Sequence, residues 1–355
     1  MAEPAVIERP AGWPARMVTV AARQRELTLA AVIVVMAAVV ASQAPQLLSP
    51  SNLAQVTAQA SIIGIAAVGQ ALVILTRNVD LSVESTIGLV AFVVADVLAQ
   101  RMLEPSAAIA FGIGLGLVLG VVNGALVALL GVPSIVATLG TLSIYRGIDF
   151  LLAGGKQVTL TDLPAGYTDA ARATVAGVPL FLLIAVAIIA VFAVVLRQTT
   201  FGRQLYAVGS NPEAATILGI RSRLIVFVAF ALCGLLAGVA GVLWGIEFGT
   251  INATAATGVV LQVVAASVVG GVNIFGGSGS VVGAGLGALF LGFISNALIL
   301  LRLSQFWLQA IYGIVILVAV SIDGLVTRRL ARSTTVRRSF VTGAPGTAAA
   351  GRPRR

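Results

Sequence analysis

The chain reads as an all-α polytopic membrane protein of about ten transmembrane helices, and three observations carry that reading. Mean hydropathy is +1.06, with 59% hydrophobic and 10% charged residues, too little charge to cover a globular surface. Apolar stretches of about 20 residues, the length that crosses the hydrocarbon core, recur between residues 27 and 326. Arginine and lysine gather mostly between and beyond these stretches.

The N-terminal segment, 1–26, is polar and carries Arg9, Arg16, Arg23 and Arg25. The apolar run after it lacks a small-x-small cleavage site, so it is expected to stay as a helix rather than leave as a signal peptide. The candidate spans are 27–47, 53–75, 82–100, 107–130, 134–153, 178–196, 224–246, 259–275, 281–301 and 306–326, of which the third, fifth and eighth are weaker. Together they make one transmembrane domain over 27–326. An even number of spans places both termini on one side. Six spans place the 197–223 loop there too, and its Arg197, Arg203, Arg221 and Arg223 mark that side as cytoplasmic. The 154–177 loop then falls outside, with Lys156 and Arg172 balanced by Asp162 and Asp169. The basic tail, 327–355, ends in a Gly, Pro, Ala and Arg sequence without apolar periodicity and is expected to be disordered in the cytoplasm, with anionic lipid as a minor partner.

Small residues line one helix face at Gly112, Gly116, Gly120 and Gly124, with Ala237, Gly241 and Gly245 repeating the spacing later. Such stripes let backbones approach closely in lipid, where the hydrophobic effect does not draw helices together. They are read as packing.

Composition excludes several chemistries. With no histidine and one cysteine, Cys233, the chain lacks a paired-cysteine metal site and the commonest general base, and no metal is expected. The net charge of +9 lies mostly outside the spans and reads as topology; no aromatic-interleaved basic groove points to nucleic acid. The "GAGLGA" at 283–288 fits a dinucleotide pattern but sits inside an apolar span, and the "GGK" at 154–156 lacks the earlier glycine of a P-loop, where Phe150 stands. No nucleotide site is expected in this chain.

Charge within the spans costs roughly 2.5–3.5 kcal/mol per residue at a helix centre and marks protein interiors or aqueous cavities. Asp80, Glu84, Asp96, Arg146, Asp149, Glu247 and Arg302 are the candidates. Asp96, Glu247 and Arg302 lie near span ends and are expected at the interface. Arg146 and Asp149, three apart, either pair structurally or serve function. The cluster "RNVDLSVE" at 77–84 is expected at the inner mouth, where Asp80 can cap the third helix by accepting from the N–H of Ser82 or Val83, with Glu84 in its first turn. In the 197–223 loop, "NPEAATILGI" predicts a short helix with Asn211 as N-cap, Pro212 at N1 and Gly219 at its end. By itself that helix is equally a connection or a plug for a partner's groove.

Four stretches, "NVDLSVESTIGL" (78–89), "GVPSIVATLGTLSIYRGI" (131–148), "TTFGRQLYAVGSNPEAATILGI" (199–220) and "GGVNIFGGSGSVVGAGLGAL" (270–289), resemble in order the signatures of ribose-type ABC sugar importer permeases. That family serves ribose, xylose, arabinose, galactose, rhamnose and autoinducer-2. The resemblance implies the ABC importer permease fold and a bacterial inner-membrane protein importing a monosaccharide (pentose, hexose or deoxyhexose). It implies partners too: separate ATP-binding subunits that hold ATP and Mg, an extracytoplasmic sugar-binding protein, and a second permease copy, identical or paralogous. It carries over an ATPase-coupling role to Gly202, Arg203, Gly209, Asn211, Glu213, Ala214, Ala215, Gly219 and Ile220, and makes Asn78, Asp80, Ser82, Glu84 and Arg146 pathway or gate candidates. The family's first signature usually has glycines where Arg77, Asn78 and Glu84 stand, which leaves the solute open. The rival expectation is a proton- or ion-coupled secondary transporter that uses Asp80 and Glu84.

Overall fold

The computed structural model describes residues 25–318 and Ser321. The N-terminal segment before residue 25, residues 319–320 and 322–326 of the last expected span, and the basic tail lie outside the described residues.

Helices occupy nearly every expected span. They are α1 (Arg25–Gln43), α2 (Pro50–Leu75), α3 (Val83–Ala99), α4 (Pro105–Gly124, continued by one π-helical turn through Ala125–Leu129) and α5 (Ser134–Ala153). A one-turn α6 (Ala165–Thr168) lies in the loop before α7 (Leu180–Gln198). Then follow α8 (Thr200–Ser210), α9 (Pro212–Ile217), α10 (Ser222–Phe248), α11 (Val259–Val269), α12 (Val281–Leu300) and α13 (Trp307–Val318).

Seven described helices are long and apolar enough to cross a membrane, so the expected ten is not reached by that measure. The fifth span, expected to be weak, is a full 20-residue helix, α5. The other two differ for a physical reason. Helix α3 has 17 residues and α11 has 11, lengths of about 25 and 16 Å against a hydrocarbon core of about 30 Å. Both begin inside the protein, after stretches of non-helical backbone.

The bundle is built around α2, which is buried along nearly its whole length, whereas few residues of the peripheral α1 and α7 are buried. The most extensive helix pair is α4 with α10. A methyl group at Gly116 would lie 2.5 Å from the Gly234 oxygen and the Gly238 Cα, and one at Gly120 would lie 2.5 Å from the Phe230 oxygen. Gly112 meets Val94 and Val242, and Gly124 meets Phe227, so one glycine face carries α4 along α10. Its partners are Gly234 and Gly238. Gly241 instead faces Ile87 and Val90 of α3, and Gly245 faces the Tyr167 hydroxyl.

The two ends of the bundle differ. One carries Arg77, Arg197, Arg203, Arg221 and Arg223 and is called the basic end. The other carries the 154–179 loop, stitched to the end of α10 by an antiparallel pair of two-residue strands, Val158–Thr159 with Thr250–Ile251. In that loop Thr159 donates from its hydroxyl and its N–H to Asp162, and both bonds hold the Asp162 carboxyl below its ordinary pKa.

Gly116→Val is expected to lower stability by about 2–3 kcal/mol, because the new side chain meets backbone that cannot move aside. Gly114→Val, at a position on the same helix with open space around it, should be near neutral. Thermal unfolding of the detergent-solubilised chain checks the pair.

Candidate functional site

After α2 ends at Leu75, the chain turns at Arg77 (φ 66°) and doubles back along the helix it has just left. The Asn78 N–H returns to the Val73 carbonyl at 3.3 Å. With its amide oriented so that donors face acceptors, Gln70 donates to the Asp80 carbonyl (3.0 Å) and accepts from the Asp80 N–H (3.2 Å). Asp80 therefore sits level with a residue five positions inside α2, about 7 Å from its end. This corrects its expected place at the inner mouth: the aspartate is 2% exposed and surrounded by protein.

Its carboxylate is fully engaged there. Oδ1 accepts from the Ser82 N–H (2.9 Å) and hydroxyl (2.7 Å), and Oδ2 accepts from Asn123 Nδ2 at 3.4 Å. Asn123 also donates to the Ser82 hydroxyl at 2.7 Å, and Tyr145 donates to the Leu119 carbonyl at 3.0 Å beside it. The bond to the Ser82 N–H is present as the sequence expects, but the N-cap of α3 is Ser82 itself, so Asp80 closes the turn before the helix rather than capping it. The links to α4 and α5 join parts of the chain that no local pattern connects.

Two residues into α3, Glu84 turns away from its own helix. Its Oε2 accepts from the N–H groups of Gly258 (2.9 Å) and Val260 (3.4 Å), the start of α11. Gly258 is the N-cap of α11 and adopts φ 84°, a conformation that suits glycine. The carboxylate thus satisfies free donors of a helix beginning inside the protein and lies at its positive end. Arg146 of α5 reaches the same place. Its Nη1 donates to the carbonyls of Ala253 (2.9 Å) and Ala255 (2.8 Å), while Nη2 lies 3.9 Å from Glu84 Oε1. Asp149 lies 3.8 Å from Nη1, its side chain fully buried. Arg146 and Asp149 do pair, but the arginine also holds the non-helical approach to α11 from a second helix.

At the basic end, α8 and α9 form one unit. The Thr199 side chain caps α8 and the Asn211 side chain caps α9, accepting from the Glu213 and Ala214 N–H groups at 3.1 and 3.0 Å. Helix α9 closes on Gly219 (φ 80°), with the Ile220 N–H returning to the Ala215 carbonyl. Arg77 donates to the carbonyls of Gly209 and Ser210 at the C-terminus of α8, where a cation is favoured. The Gly277 N–H caps the last turn of α2 at the Leu75 carbonyl (3.0 Å), and a side chain at Gly209 would collide with both groups. The Tyr206 hydroxyl adds a bond to the Gly279 carbonyl at 2.8 Å.

The coupling candidates divide by burial. Gly202, Gly209 and Ala215 are buried and position the unit, Ile220 is half-buried, and Arg203, Asn211, Glu213, Ala214 and Gly219 are exposed. Ile217 and Leu218, 86% and 78% exposed, form an apolar knob that was not among the candidates. Their placement after a capped turn was the only available signal. Of the pathway candidates, Asp80, Ser82 and Glu84 are buried in bonded networks, Arg146 is half-buried, and Asn78 is half-buried and donates to Thr76.

A multi-pass bundle with two short helices starting inside it, held at a partly buried ion pair, and a capped amphipathic unit at one end, defines a membrane permease. A family model described as branched-chain amino acid transport system / permease component matches residues 52–320, and the chain belongs to that family. Curated relatives fit the ribose-type ABC sugar importer resemblance. The Autoinducer 2 import system permease protein LsrC of Shigella flexneri is 40% identical over 288 residues, 81% of this chain and 83% of the relative. The protein of the same name from Salmonella typhi is 38% identical over 309 residues, 87% and 88% of the two chains. No solved structure matches the chain.

At the seam where Glu84 of α3 and Arg146 of α5 hold the start of α11, Arg146→Met should cost the most stability, about 3 kcal/mol or more, because it leaves two carbonyls without their donor and two carboxylates without their counter-charge. Glu84→Gln keeps an acceptor for the Gly258 N–H and should cost about 1 kcal/mol. Equal thermal shifts for the two variants would contradict this order.

Proposed function

We propose that the chain is the membrane-spanning subunit of an ATP-driven importer of a monosaccharide, with the basic end and both termini in the cytoplasm. The observation that carries the coupling role is the exposed Ile217–Leu218 knob on a capped helix, which is rigidly tied to the ends of α2 and α12. Two large apolar side chains held in water are a ready anchor for a partner's groove. That partner is an ATP-binding subunit that supplies ATP and Mg; a second permease copy and an extracytoplasmic sugar-binding protein complete the assembly. Import is the direction supported by relatives named for an import system, and arginines at the basic end support its cytoplasmic placement.

Closure of two ATPase subunits would push on α9. Helix α8 passes that displacement to Arg77 and the 273–279 loop, and Arg77 begins the turn that leads through Asp80 to α3. The ion-coupled alternative is less favoured, because Asp80 already accepts bonds from Ser82 and Asn123, and Glu84 from the start of α11.

The double variant Ile217→Asp/Leu218→Asp is expected to reach the membrane normally yet lose co-purification with the ATP-binding subunit. At about 2 kcal/mol per anchor, each side chain is worth roughly 30-fold in affinity, and sugar uptake should fall with binding. Wild-type co-purification and uptake in this variant would overturn the coupling role. Uptake abolished by an uncoupler while ATP is held constant would favour ion coupling instead.

A further inference from the structure

At the end opposite α9, a cavity of about 390 Å³ opens between α2, the end of α10, the start of α11 and the segment entering α13. Its size suits a small organic solute. Four glutamines, Gln59, Gln262, Gln305 and Gln309, line it, and among the described residues no charged side chain does. These amides make no hydrogen bond to any described residue, unlike the Gln70 amide, which clasps the Asp80 backbone. Trp244 and Phe248 stack in the wall with centroids 4.3 Å apart, and Tyr312 adds a third aromatic ring.

Each primary amide offers donors and an acceptor together, which is what a hydroxyl group, itself donor and acceptor, requires. Aromatic faces complement the apolar C–H faces of a ring that carries hydroxyls on its edges. A charged solute would enter without a counter-charge and lose its hydration, which disfavours it. We propose that this cavity is the solute site of the permease and that it takes a neutral polyhydroxylated molecule of monosaccharide size. The inference rests on the reading of the chain as a sugar importer and adds where the sugar is received and which sugars are refused.

The floor of the cavity connects it to the seam. Gly258 lines it, a methyl group at Gly258 would lie 3.9 Å from Gln309 Nε2, and the Gly258 N–H is the one held by Glu84. Solute contacts at Gln309 are therefore made over the residue that anchors α11 to α3.

The test uses the full chain in lipid nanodiscs and follows tryptophan fluorescence during titration with D-ribose, D-xylose, L-arabinose, D-galactose and L-rhamnose, with ribose 5-phosphate as the charged control. At least one neutral sugar should give a saturable change that Trp244→Phe abolishes and that Gln262→Ala or Gln309→Ala shifts by tenfold or more, with thermal midpoints unchanged. The phosphate ester should give none. No saturable change with any neutral sugar, a response that survives both glutamine variants, or equal binding of the ester would overturn the site. Uptake by cells that also carry the ATP-binding subunit and sugar-binding protein separates the two readings. Uptake without cavity binding would refute this site alone, whereas cavity binding without ATP-dependent uptake would refute the importer reading and leave the site standing.

Discussion

Two helices of this protein begin inside the bundle rather than at its ends, and their free backbone donors have to be satisfied there. In hydrocarbon each unsatisfied group costs several kcal/mol, so non-helical backbone at membrane depth survives only where protein supplies the partners. Gln70 and the Asp80 carboxylate supply them for the turn before α3, and Glu84 and Arg146 supply them for the turn before α11. Because Glu84 belongs to α3 and serves α11, the two breaks depend on each other. A change in the position of either helix start must be felt by the other.

The surroundings hold that seam in place. Helix α4 lies against α10 along a glycine face that allows backbone contact, and α3 packs on α10 through Gly241. Such contacts supply the dispersion energy that stands in for the hydrophobic effect in lipid. They also leave little slack. Displacement delivered at one end of α2 or α10 is transmitted rather than absorbed.

At the basic end the same economy recurs. Arg77 stands where the family pattern has glycine, yet it has a definite task in this chain: its guanidinium caps α8 through two carbonyls and opens the turn toward Asp80. The departure from the pattern thus adds a link between the α8–α9 unit and the turn before α3. Glu84, another departure, adds the link between the seam and α11.

The sequence by itself determined the helices and their order, because crossing hydrocarbon imposes a length and a composition that few residues can evade. Local capping was legible for the same reason: Asn211, Pro212 and Gly219 act within one turn of each other, and the short helix at 212–217 follows from them. Other features were not legible, and each involves distance along the chain. The bond between Glu84 and Gly258 spans 174 residues, that from Arg146 to Ala253 spans 107, and that from Arg77 to Gly209 spans 132. Hydropathy marked 82–100 and 259–275 as weaker spans yet still counted them as crossings, since an apolar short helix and an apolar full-length one look alike over a window. Likewise the four glutamines lie in three separate stretches, each unremarkable alone, and only packing brings them around one cavity. Only the tertiary structure decided which helices stop short and which charges face each other, because burial and pairing belong to neighbours in space.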